Sequence, residues 1–125
     1  MSETTNLQKK LLFISRSSPY GSGRAKACLD MVLSAAVFDQ KVTLVFMDDG
    51  VLQLQRGQAA ARIHAKDLSA ALAALPLYDV DQVYVEEASL RLRGITAEQL
   101  AIEATLCSAE GIAEMIRQAD GVFTL

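Results

Sequence analysis

The chain has 125 residues, 51% of them hydrophobic and 22% charged, and a formal net charge of −3. That length fits one domain around one sizeable core, and the composition excludes both a disordered chain and a disulfide-stapled miniature, since there are only two cysteines. The acidic balance argues against a direct grip on nucleic-acid phosphates, and no apolar run approaches the roughly 18 residues of a membrane span. Neither nucleic acid nor membrane is an expected partner.

Met1 to Asn6 lacks the basic and apolar regions of a secretory signal, so residues 1–8 are expected to be a flexible N-terminal extension of a cytoplasmic, single-domain chain. Leu11-Leu12-Phe13-Ile14 reads as a first strand, ended by the turn formers of Ser15 to Gly23. From Arg24, the apolar positions Ala25, Leu29, Val32 and Ala36 recur at the period of one helix face, which predicts a helix over 23–38. Asp39-Gln40-Lys41 then turns the chain into Val42 to Met47, an uncharged run rich in β-branched and aromatic residues, as expected of a strand buried on both faces. Asp48-Asp49-Gly50 stops it abruptly. The resulting β-α-β unit should be right-handed with parallel strands.

Val51 to Gln55 is too short for periodicity to choose between a helix and an extended segment. Gln58 to Arg62 is weakly patterned. Lys66 to Leu75 favours helix and Pro76 closes it, while Val80 to Val85 alternates as a third strand ended by Glu86-Glu87. Ala88 to Arg93 runs to a helix stop at Gly94, and Thr96 to Gln99 suits a helical turn. Leu100 to Leu106 fits an edge strand or an irregular segment. Ser108 suits the N-cap of a last helix through Gln118, and Gly121 to Leu125 returns as a terminal strand. The alternation predicts a three-layer α/β/α sandwich with a mostly parallel four- or five-stranded sheet.

Motifs that could carry chemistry are sparse. Gly21-Ser22-Gly23-Arg24 opens a helix after the first strand, where backbone N–H groups could hold a phosphate, yet it matches neither a P-loop nor a dinucleotide fingerprint. Asp48-Asp49 could hold a hard cation, but a solvated turn is the simpler reading. His64 is the only histidine and has no visible metal or triad partner. Cys28 falls in the apolar stripe of the first helix as a small hydrophobe, whereas Cys107 precedes a helix start, where the dipole can lower a thiol pKa. No cofactor, metal or catalytic residue is expected.

Three segments give the chain a likeness: Phe13-Ile14-Ser15-Arg16-Ser17-Ser18-Pro19-Tyr20-Gly21, Phe46-Met47-Asp48-Asp49-Gly50-Val51-Leu52-Gln53-Leu54 and Ala88-Ser89-Leu90-Arg91-Leu92-Arg93-Gly94. Together they resemble the DsrE/DsrF-like family, and within it the TusC/DsrF branch, in order and spacing from Leu11 to Leu125. Leu77-Tyr78-Asp79 and Glu103-Ala104-Thr105 add to the match. The resemblance implies a structural subunit of a cytoplasmic heterohexamer with TusB-like and TusD-like partners. Such a complex passes persulfide sulfur, received through a TusA-like carrier and released to a TusE-like one, for 2-thiouridine at the tRNA wobble position. A DsrF-like role in intracellular sulfur oxidation is the alternative, and a self-sufficient homo-oligomeric thiol or small-molecule enzyme a third reading.

The family's reactive cysteine belongs to the TusD/DsrE-like subunit, at the end of the strand before the Leu-Arg-x-Arg-Gly segment; here that neighbourhood is Val85-Glu86. A persulfide relay needs a thiolate, and carboxylates would raise a nearby thiol's pKa and repel a perthiolate. The turn at Asp48, Asp49, Val51, Leu52 and Leu54, with its sharp glycine, is expected instead to present an apolar cluster to another subunit, its acids at the rim.

Overall fold

The computed structural model describes residues 8–19, 22–55 and 63–125, with side chains described for all of these except 63–67. Five strands, β1 (Lys10–Ser15), β2 (Lys41–Phe46), β3 (Gln82–Glu86), β4 (Thr105–Cys107) and β5 (Gly121–Thr124), form one sheet in the order β4-β3-β2-β1-β5. Every pairing is parallel, so the expected mostly parallel sheet is entirely so. The α-helices among the described residues are α1 (Arg24–Val37), α2 (Ile63–Ala74), α3 (Glu87–Leu92) and α4 (Ala109–Gln118).

Strand alternation sorts the side chains into two cores. Phe13, Leu44, Phe46, Val83 and Val85 face α1 and α2, meeting Leu29, Val32, Leu68 and Leu72 in the larger cluster. Leu12, Ile14 and Val45 face the other way and meet Ile112 of α4. The layers are therefore helix, sheet, helix, with the second helical layer much thinner.

Local chemistry explains the element ends. Gly94 takes a left-handed φ of 66°. The Ile95 N–H then reaches the Leu90 carbonyl at 3.0 Å and the Gly94 N–H reaches that of Arg91 at 3.2 Å, a Schellman closure of α3. Ser108 caps α4 by accepting the Gly111 N–H at 3.1 Å. The segment left open by periodicity is helical: Asp48–Leu54 is a 3-10 helix. Pro76 does not end helical structure, because a 3-10 turn over Leu75–Tyr78 runs through it after α2 closes at Ala74. Of Leu100 to Leu106, only the last two residues join an edge strand. Residues 1–7 of the expected 1–8 N-terminal extension, the Gln58 to Arg62 segment, the Tyr20-Gly21 pair and the His64 side chain lie outside what is described.

Candidate functional site

Strand order reverses between β1 and β5, and the sheet's carboxyl edge, the side on which α/β sheets place their sites, also carries the ends of β2 and β3. Met47 leaves β2 extended, and Asp48 takes a left-handed φ of 52°. The sharp turn is thus made by Asp48, not by the glycine. Gly50 serves a different need: a Cβ there would overlap the Ser15 carbonyl oxygen and lie 2.7 Å from its carbon, so only glycine lets the turn lie against the end of β1.

A polar network lies beneath this turn. Gln53 is 3% exposed and its amide donates to Ser15 Oγ at 2.8 Å and to the Ser17 carbonyl at 2.9 Å. It ties the 3-10 helix to the loop after β1. On the other side, Ser89 Oγ accepts the Asp48 N–H at 2.9 Å and donates to the Glu86 carboxylate. Sequence reasoning passed over Gln53, Ser15 and Ser89, although each stands in a segment that carried the family likeness.

Asp48 and Asp49 are engaged separately. Arg16 Nε meets Asp48 at 2.7 Å, and Arg93 meets Asp49 at 2.9 Å while also donating to the Ser89 carbonyl at 3.1 Å. The two carboxylates are held by different guanidinium groups, which is not the arrangement of a cation clamp. Among the described residues no three His, Cys, Asp or Glu groups gather as a metal site would require. Arg16, Ser17, Arg24, Asp48, Asp49 and Thr124 border an open recess of about 720 Å³ at this edge.

The expected apolar patch is corrected by burial. Val51 and Leu54 are completely buried in the chain's own core, and only Leu52, half-buried, remains for a neighbour to touch. A 3-10 helix folded back under the sheet edge turns these side chains inward, which a linear run could not reveal.

At the end of β3, where the resemblance leads one to expect the family's cysteine, Val85 is fully buried and Glu86 is 9% exposed. Glu86 is the register partner of Cys107 across β3 and β4. Burial, and then the charge of Glu86, push the Cys107 thiol up to about 11, so the helix start does not activate it. Cys28 is fully buried, and burial raises its thiol pKa despite a hydrogen bond with Ser15. Neither thiol is set up as a nucleophile.

Residues 9–125 match the DsrE/DsrF-like family. The chain is 40% identical over 119 residues to a TusC homologue of Pseudomonas aeruginosa, covering 95% of this chain and 100% of that one. It is 42% identical over 92 residues to the intracellular sulfur oxidation protein DsrF of Allochromatium vinosum, covering 74% of this chain and 68% of the relative. The crystal structure of the YchN protein of E. coli superposes with a TM-score of 0.82 at 22% identity, covering 94% of this chain and all of that one, a likeness of fold. The parallel sheet, the Asp48 to Leu54 turn beneath its edge and a match along nearly the whole sequence agree: the chain belongs to the DsrE/DsrF-like family.

Proposed function

We propose that the chain is a TusC-like structural subunit of a cytoplasmic sulfur-relay complex that passes persulfide sulfur toward 2-thiouridine at the tRNA wobble position. Its partners would be TusB-like and TusD-like subunits in a heterohexamer, with TusA-like and TusE-like carriers delivering and removing sulfur. The observation that carries this reading is the carboxyl end of β3. There Glu86, fixed by Ser89, takes the strand end where the family resemblance leads one to expect a relaying thiolate, and the neighbouring Cys107 thiol is pushed up to about 11. A carboxylate cannot accept a sulfane sulfur, and it repels an incoming perthiolate.

The test is 2-thiouridine content of tRNA, measured by mass spectrometry, after deletion of the gene and complementation with the cysteine-free Cys28→Ser/Cys107→Ser chain. Loss on deletion and full restoration by the variant are expected. Failure of a folded cysteine-free chain to restore would overturn the structural role. Unchanged 2-thiouridine on deletion would favour the second reading, a DsrF-like subunit in sulfur oxidation, which the 42% identity to that protein supports.

A further inference from the structure

All-parallel sheets are found with both faces covered, yet among the described residues the second face of this sheet has only the ten-residue α4 over it. Through Ile112 and Met115, α4 covers Leu12, Ile14 and Val45. Towards the amino ends of β2 and β3 the sheet shows its own side chains, and an open groove of about 350 Å³ runs there beside α4. Thr43, Gln82 and Tyr84 form one side, and Met115 lends it an apolar wall. The Tyr84 hydroxyl donates to Gln82 at 3.1 Å within this lining.

Lys10 and Lys41 stand at its mouth as register partners on adjacent strands. By strand parity both belong to the α4 face, in line with Leu12 and Thr43. Their backbones are about 4.8 Å apart, so two ammonium groups share one small region. Neither makes an ion pair among the described residues. The nearby Asp120 carboxylate accepts the Lys10 backbone N–H at 2.8 Å. Two exposed like charges side by side repel each other, and a carboxylate between them reverses the sign of that interaction.

We propose that this groove docks an acidic, amphipathic segment of a neighbouring subunit. Its carboxylates meet Lys10 and Lys41, and its apolar side chain lies against Met115 and Tyr84. An open groove suits an extended or helical segment, and its basic mouth, in a chain of net charge −3, selects an acidic one. This inference rests on the proposed membership of a multi-subunit complex.

The test uses the complex purified after co-expression with the TusB-like and TusD-like partners. A photo-crosslinking amino acid, p-benzoylphenylalanine, replaces Gln82, and the cross-linked peptide is sequenced. In parallel the charge-reversed Lys10→Glu/Lys41→Glu chain is titrated with the purified partners, with circular dichroism as the check on folding. Cross-linking to a partner segment bearing at least two acids is expected, with affinity lowered roughly tenfold and less salt-dependent in the reversed chain. If the reversed chain misfolds, Lys10→Gln/Lys41→Gln replaces it. Normal assembly with no cross-link to a partner, or unchanged affinity in a folded variant, overturns the docking site alone. Saturable binding of inorganic phosphate that leaves assembly untouched assigns the lysines to a small anion and overturns it too. A wild-type chain that does not assemble at all removes the docking site and the complex together.

Discussion

Glu86 and Cys107 face each other as register partners at the carboxyl ends of β3 and β4, and the carboxylate helps keep the thiol protonated. Burial is the larger cause and the charge the smaller. Alkylation of Cys107 by iodoacetamide should therefore stay slow at neutral pH and rise only as pH approaches about 11. Glu86→Gln should move the profile to lower pH without bringing it to that of a free thiol, because burial persists. The folded chain holds this proton more tightly than the unfolded one, so the thiol lowers stability as pH rises from the ordinary thiol value towards about 11. Rate profiles by mass spectrometry decide it; a profile unchanged in Glu86→Gln removes the electrostatic contribution.

Gly50→Ala tests the close approach between the turn and β1. The new methyl would overlap the Ser15 carbonyl, which is backbone in the sheet and cannot swing aside. Overpacking of this kind costs about 3 kcal/mol. Chemical denaturation should show a loss of that order, and Gly23→Ala, where a Cβ meets nothing within 4 Å, should cost far less. Equal losses at the two positions would contradict the close approach of the turn to β1.

Periodicity carried most of the fold. The α1 stripe from Ala25 to Ala36 and the uncharged β2 run are long enough for one pattern to win, and both elements form where expected. The parallel sheet followed from their alternation. The turn was legible as a stop and misread in its packing, because Val51 and Leu54 are apolar in sequence whether they face a partner or the chain's own core. Only tertiary contacts distinguish the two. The Gln53–Ser15 and Ser89–Asp48 bonds join residues 38 and 41 positions apart, a separation at which no local pattern speaks.

Gln53 offers a test of the buried network. Gln53→Leu keeps the side chain's bulk but leaves the Ser17 carbonyl without its donor and removes the Ser15 bond. A loss of about 1–3 kcal/mol is expected from unpaired buried groups. Gln53→Glu should cost more near neutral pH and recover as the pH falls, since it places a charge at a site 3% exposed. Denaturation across a pH series reads both effects. A pH-independent cost for the Glu variant would mean that the site is wetter than its burial indicates.

The turn's place in an assembly rests on Leu52, which alone of Val51, Leu52 and Leu54 is not fully buried. We expect Leu52→Asp to lower recovery of a tagged TusD-like partner by roughly tenfold, the scale of a well-buried apolar anchor lost at an interface. Asp49→Asn should do much less. It removes one exposed ion pair, at 2.9 Å from Arg93, and such pairs contribute about 1 kcal/mol or less. Because Leu52 also packs partly against its own core, circular dichroism and a melting curve must accompany the pull-down. A folded Leu52→Asp chain that recovers as much partner as the wild type takes this turn out of the interface. Reduced 2-thiouridine with assembly intact would instead make the edge of the sheet around Asp48 and Asp49 a chemical site.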